Sequence, residues 1–214
     1  CTIVYNGEIY NHGTLREELL RLGYIFNSTT DTEIILASYD KWGVKCLDHL
    51  KGMFAFALFD PELNQVFVAR DRAGEKPLFY SYSDGTFRFG SELKALMADD
   101  TVVRRINPRA FDLYLSMGYI TNSDCILIGF NKLPPGHYAV FDIEAGTLNI
   151  SPYWELPLDV SGGSNQVTDL ELAQELEILL EKSIGEQLVA DVPVGILLSG
   201  GVDSSLITAI ASRI

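Results

Sequence analysis

Two apolar runs joined by a turn constrain this chain more than any other feature. The stretch MFAFALFD (53–60) is apolar almost throughout, rich in aromatics, with little polar alternation. That is the pattern of a strand buried on both faces. Asp60-Pro61-Glu62-Leu63-Asn64 then turns the chain into QVFVARD, a second strand. On either side the periodicity becomes helical. TLREELLRLG (14–23) carries Thr14 and Glu17 as a capping box, an apolar stripe of Leu15, Leu19, Leu20 and Leu22, and Gly23 as a stop. DTEIILASYDKWG reads as a second helix with Asp31 near its amino end. PLFYSYS and TFRFG read as strands about the turn Ser83-Asp84-Gly85, and SELKALMAD as a helix capped by Ser91. Up to about residue 98 the expectation is a β-rich α+β unit of adjacent antiparallel strands.

Further on, Asn107-Pro108 introduces a short helix within residues 101–118, a cap followed by Pro at the first helical position. KLPPGHYAVFD (132–142) is a Pro-Gly turn running into a strand. SGGSNQ (161–166) is small, polar and uncharged, the most linker-like stretch of the chain. A domain boundary is expected there or slightly upstream, at Ser151–Leu158, giving domains 1–158 and 159–214. A long helix capped by Thr168 with Glu171 follows, then VPVGILL as an apolar strand, and then LSGGVDSSLITAIASRI.

Composition excludes several classes of function. Hydrophobic residues make up 47% and charged residues 21%, ordinary for a globular protein. No run of about eighteen apolar residues spans a membrane, and no secretory leader is visible. The net charge of −13 repels phosphate backbones and argues against nucleic-acid binding. Cys1, Cys46 and Cys125 are widely spaced without a CxxC, which suggests a reducing, cytoplasmic setting with neither a disulfide framework nor a zinc site. His12, His49 and His137 lack metal-ligand spacing.

Two stretches carry chemistry. In VGILLSGGVDSS an apolar strand ends at Leu198, a Ser-Gly-Gly turn follows, and a helix starts around Asp203. Glycines at such a junction let backbone N–H groups join the helix amino terminus in a nest for phosphate. No Lys follows, so this is not a Walker A loop, and Asp203 would need Mg²⁺ to sit beside phosphate. A plain Gly turn with an Asp cap reads equally well. In YNGEIYNH, Asn6 offers a side-chain amide and Gly7 an approachable N–H, the two donor types that hold an oxyanion. Glu8 could bind an ammonium. A strand ending in an Asn-Gly hairpin turn is the alternative.

Both stretches resemble known signatures. SGGVDSS is similar to the pyrophosphate-binding signature of ATP pyrophosphatases, and DVPVGILL resembles the strand before it in asparagine synthetases. NGEIYN resembles the glutamine-binding motif of class II (amino-terminal nucleophile) glutamine amidotransferases, and STTDTEIILASY resembles their segment whose Asp grips the glutamine α-amino group. LKGMFAFALFD, RDRAGEKPLFYSY, FGSELKAL and KLPPGHY continue the likeness, in the order found in the glutamine-hydrolysing asparagine synthetase family.

The resemblance implies an α+β glutaminase sheet of the amino-terminal-nucleophile type. After it would come the first helix-strand-loop-helix of an α/β ATP-pyrophosphatase domain. It implies synthesis of asparagine from aspartate, glutamine and ATP through β-aspartyl-AMP. Asn6 and Gly7 would form the oxyanion hole, and Asn6, Gly7, Glu8 and Asp31 would bind glutamine. The backbone of Leu197 or Leu198 would face adenosine. Ser199, Gly200, Gly201, Asp203, Ser204 and Ser205 would bind pyrophosphate, with Asp203 reaching it through Mg²⁺. Arg70, Asp71 and Lys76 would frame the sheet, and pairing through the glutaminase domains would give a homodimer. Two alternatives stay open: the same fold acting on a sugar or a β-lactam precursor, or a non-catalytic glutaminase-like scaffold.

Cys1 is tempting, because the family's nucleophile is an amino-terminal Cys whose own amine is the base. Its surroundings disagree. Thr2-Ile3-Val4-Tyr5 runs straight into Asn6, so Cys1 would stand at the far end of the strand presenting Asn6 and Gly7, up to about 18 Å away. The expectation is therefore an internal piece of a longer protein, with its nucleophile upstream and most of the synthetase domain downstream.

Overall fold

The computed structural model describes residues 1–121, 124–158, 168–190 and 192–214. It divides into two compact units, Cys1–Leu156 and Pro157–Ile214. The SGGSNQ stretch and residue 159, where the domain boundary is expected, lie outside the described residues.

The first unit begins with strand β1 (Thr2–Ile9), helix α1 (His12–Arg21) and helix α2 (Asp31–Trp42). A 3-10 turn at Gly43–Lys45 leads into α3 (Cys46–His49). The two apolar runs form β2 (Gly52–Asp60) and β3 (Gln65–Arg70). The hairpin β4 (Phe79–Ser83) and β5 (Thr86–Gly90), the short helix α4 (Leu93–Leu96) and α5 (Pro108–Met117) come next. The strands β6 (Asn131–Lys132), β7 (His137–Asp142) and β8 (Thr147–Pro152) complete it. One sheet has the order β1-β2-β3-β7-β8 and the other β5-β4-β6. Every pairing is antiparallel.

The missing alternation in β2 now has a cause. Phe54, Phe56 and Leu58 enter one core with Leu19, Ile34 and Ile35 from α1 and α2. Ala55 and Ala57 enter a second core with Leu78, and Tyr80, Phe87 and Phe89 of the smaller sheet pack against it. Large side chains face the helices and small ones face the second sheet, whose aromatics fill the space the alanines leave. Both faces exclude water, so both are apolar.

Several local readings differ from expectation. Helix α1 starts at His12, so Thr14 lies inside it and caps nothing. Asn11 takes the entry instead. Its amide donates to the His49 carbonyl at 2.9 Å and its Oδ1 accepts from the Lys51 N–H at 2.9 Å, tying the end of β1 to the start of β2. Helix α4 has only four residues, and Glu92, not Ser91, precedes it. Strand β8 carried no sequence signal that we read; it forms because β7 offers it a hydrogen-bonding edge.

The RDRAGEKPL segment is a framework, as the family resemblance implied. Arg70 donates to the carbonyls of Lys76, Leu133 and Gly74, each at 2.7 Å. Asp71 is fully buried and accepts from the N–H groups of Phe54, Glu75 and Lys76. A planar fork and an acceptor-only carboxylate suit these roles, because an irregular buried loop has backbone groups that no ladder satisfies. Cys46 is a buried core residue, and burial pushes its thiol up to about 12.

The second unit contains α6 (Asp169–Gln187) and α7 (Val202–Ala211). Thr168 and Glu171 form the expected capping box. Arg213 pairs with Glu177 at 2.8 Å and also with Glu181, fixing the two helices together. Val192–Leu198, read as a strand, has no ladder partner among the described residues and is not a strand. An apolar β-branched run becomes a strand only when a neighbour accepts its hydrogen bonds.

Candidate active site

Asn6 and Gly7 lie within β1, not in a hairpin turn, and pair with Ala55 and Phe54 of β2. The turn reading therefore fails. Strand β1 occupies one edge of its sheet. The Tyr10 N–H donates to the Lys51 carbonyl at 2.8 Å, which fixes the alternation along the pair. Even-numbered residues turn their amides toward β2, and Tyr5, Gly7 and Ile9 turn theirs to the open edge. The Ile9 N–H confirms the phase, since it donates outward to Asp31 Oδ2 at 2.9 Å. Phe54, opposite Gly7, turns its own amide the other way, to Asp71.

Only glycine fits at position 7. A Cβ there would stand 2.2 Å from the Met53 carbonyl oxygen and 2.7 Å from the Phe54 Cα, both immovable backbone.

Side chains on β1 alternate between two environments. Ile3, Tyr5 and Ile9 pack on the helical core, which leaves Val4, Asn6 and Glu8 on the other face. Asn6 Nδ2 donates to Ser91 Oγ at 3.1 Å. An amide carries two hydrogens, so one stays available after Ser91 takes the first. Asn6, Ser91, Val4, Phe89 and Leu78 line a cleft of about 230 Å3. Asp31 opens α2 and reaches β1 from the helical side. Its Oδ2 accepts from the Tyr5 hydroxyl at 2.7 Å as well as from Ile9.

The outcome is that the Gly7 N–H and the Asp31 carboxylate at Ile9 share the open edge of β1, while the Asn6 amide stands beside Gly7 on the face turned away from the helices. Gly7 and Ile9 are two residues apart, roughly 7 Å on a strand. Glu8 shares the Asn6 face, and its side chain makes no hydrogen bond among the described residues. Cys1 is exposed, precedes β1, and lines a hollow with Tyr39, Asp40 and Asp60. Six strand steps, roughly 20 Å, separate it from Gly7.

Sequence reasoning missed Tyr5 and misread Ser91. Each contacts a partner distant in the chain, Asp31 and Asn6, so no local pattern announces them.

In the second unit Gly201 precedes α7, with Gly200 at φ 83°, in the left-handed region glycine tolerates. Ser204 Oγ lies 3.0 Å from Ser199 Oγ and donates to the Gly201 carbonyl, closing the turn. Asp203 stands in the first turn of α7, and the side chains of Leu197 and Leu198 are exposed. A Gly-Gly entry to a helix whose first N–H groups have no intrahelical acceptor suits an anion.

Comparison with known proteins matches residues 1–154 to the family model of the glutamine amidotransferase domain. The chain belongs to this family. In addition, residues 175–214 match the asparagine synthase model. Glutamine-hydrolysing asparagine synthetase 3 of Bacillus subtilis is 41% identical over 99% of this chain and 34% of its own length. Asparagine synthetase 1 of the same organism is 34% identical over 99% of this chain and 32% of its own. The chain spans about a third of the length of these curated relatives. A solved glutamine phosphoribosylpyrophosphate amidotransferase from B. subtilis matches 99% of this chain and 44% of its own at 16% identity, with a TM-score of 0.49. Asn6, Gly7 and Glu8 of β1 and Asp31 of α2 all fall within the segment that matches the amidotransferase model. The Ser199–Ser205 loop belongs to the segment that matches asparagine synthase. No described helix is long and apolar enough to cross a membrane.

Proposed function

We propose that the first unit binds glutamine along the open edge of β1 for hydrolysis to glutamate and ammonia. In the whole protein the ammonia would convert aspartate to asparagine through β-aspartyl-AMP. The observation that carries the reading is that Asn6 and Gly7 lie side by side on edge strand β1 and that Asp31 is hydrogen-bonded to Ile9 of the same strand. The glutamine side-chain carbonyl lies against Asn6 and Gly7, whose donors are fixed in place before charge develops on that oxygen. The α-ammonium lies against Asp31, with Glu8 as a second carboxylate. Cys1 is not assigned as the nucleophile, because it stands at the remote end of β1.

In the second unit, Ser199, Gly200, Gly201, Asp203, Ser204 and Ser205 hold the pyrophosphate of ATP, with the backbone of Leu197 and Leu198 toward adenosine. Asp203 fits Mg²⁺ held jointly with phosphate. Among the described residues no three acidic, His or Cys side chains gather into a cage, and Mg²⁺ commonly takes one or two carboxylates plus phosphate oxygens. Bound there, the ion would neutralise the phosphate charge that Asp203 alone would repel. The protein is proposed to work in the cytoplasm, with a second copy paired through the amidotransferase domain.

The test is titration of the ¹⁵N-labelled chain with glutamine, followed by NMR. Shifts are expected at Gly7, Ile9 and Asp31. Unchanged resonances there at millimolar glutamine would overturn the reading.

A further inference from the structure

The groups that hold Asp31 fall into two sets. One holds its backbone. Arg16 donates to the carbonyls of Ser28 at 2.8 Å and Thr30 at 3.1 Å, and its guanidinium sits 4.6 Å from the centre of the Phe26 ring. Glu33 accepts from the N–H groups of Asn27 and Ser28, each at 2.8 Å. These contacts fix where α2 begins, but they leave the Asp31 side chain free to turn.

The other set touches the carboxylate, and among the described residues it contains only Tyr5 and Ile9. Both donate to the same oxygen, Oδ2. The Ile9 N–H alone would allow rotation about the single bond it restrains. The Tyr5 hydroxyl, reaching from a different point of β1, supplies a second direction and locks the plane of the carboxylate. Oδ1 is then the oxygen left without a donor among the described residues.

We infer that Tyr5 is a positioning residue for α-amino recognition: its hydroxyl fixes the Asp31 carboxylate so that Oδ1 faces the ammonium of glutamine. The inference rests on the reading of Asp31 as the α-amino acceptor. The tyrosine ring also packs on the helical core, so its structural contribution must be separated from the hydroxyl's. Burial first, and the hydrogen bond to Asp31 second, hold the phenol well above its ordinary pKa, so it remains a donor throughout the neutral range.

Glutamine and glutaramate, the same molecule without its α-amine, separate the two contributions. A packing defect weakens both ligands alike; a misaimed carboxylate weakens only glutamine. The wild-type chain should prefer glutamine, and Tyr5→Phe should cut that preference about tenfold while glutaramate binding stays unchanged. Asp31→Asn should abolish the preference altogether. If Asp31→Asn abolishes it and Tyr5→Phe retains it in full, the Tyr5 inference is overturned and the glutamine reading stands. If the wild-type chain shows no preference, both fall. Should Tyr5→Phe not fold, 3-fluorotyrosine at position 5 keeps the shape and strengthens the donor. A changed preference in that protein supports the inference, and an unchanged one overturns it.

Discussion

Asp71 and Phe54 hold each other twice: the Asp71 N–H donates to the Phe54 carbonyl at 2.8 Å, and the Phe54 N–H donates to Asp71 Oδ2 at 3.2 Å. Phe54 is the residue opposite Gly7. The RDRAGEKPL loop thus anchors β2 from one side at the point where β1 presents its open edge on the other. Asp71→Ala removes a buried acceptor from three backbone donors. Each buried unsatisfied donor costs about 1–3 kcal/mol, so a loss of about 3 kcal/mol or more is expected in urea denaturation. A loss below about 1 kcal/mol would contradict the anchoring role.

Gly7→Ala should be among the most damaging small substitutions in the first unit. The added Cβ meets the Met53 oxygen and the Phe54 Cα at distances neither can relieve by rotating a side chain. Overpacking against backbone costs about 1–3 kcal/mol, occasionally more. Glutamine binding should disappear as β1 shifts. A variant that keeps wild-type thermal stability would show that the two strands do not approach so closely in solution.

Asn107→Ala tests a cap remote from the site. Asn107 Oδ1 accepts from the N–H groups of Arg109 and Ala110, and Pro108 follows at the first helical position. Loss of such a cap costs about 1 kcal/mol. Circular dichroism and denaturation should register that change while the glutamine-induced NMR shifts stay as they are.

High pH should weaken the first unit. Burial raises Tyr39 to about 12, with its hydrogen bond to Asp60 adding to the shift. Tyr5 and Tyr153 are raised in the same direction, again chiefly by burial. An unfolded tyrosine titrates near 10, so above that pH the folded chain binds more protons than the unfolded one. Stability is therefore complete below about pH 10 and falls as pH rises toward the folded values. Denaturation midpoints from pH 8 to 11 should show the fall, and Tyr39→Phe should flatten it.

How much of this was legible depends on the range of the interaction concerned. Helix α2, the β2–β3 pair and the β4–β5 hairpin follow from periods of 3.6 and 2 and from turn residues, all set within a few positions. The caps at Asn107 and Thr168 are equally local. The start of α1 was not legible, because Asn11 serves the His49–Lys51 loop of the next element. Ser91 reads as a helix cap from its neighbours, yet its hydroxyl receives Asn6, far back in the chain.

The sequence alone determined most segments of the first unit, the doubly buried character of β2 and the residue types that bear chemistry. Asn6, Gly7, Glu8 and Asp31 stand out in the sequence through the resemblance of NGEIYN and STTDTEIILASY to glutamine amidotransferase motifs. The tertiary structure decided which groups meet. Only the antiparallel register of β1 on β2 turns the Gly7 and Ile9 amides to an open edge, and only the packing of α2 brings Asp31 there to meet Tyr5. Those choices come from long-range pairing and burial, which no window along the chain contains. The run Val192–Leu198 makes the same point from the other side: its residues favour a strand, and none of the described residues supplies the ladder that would make it one.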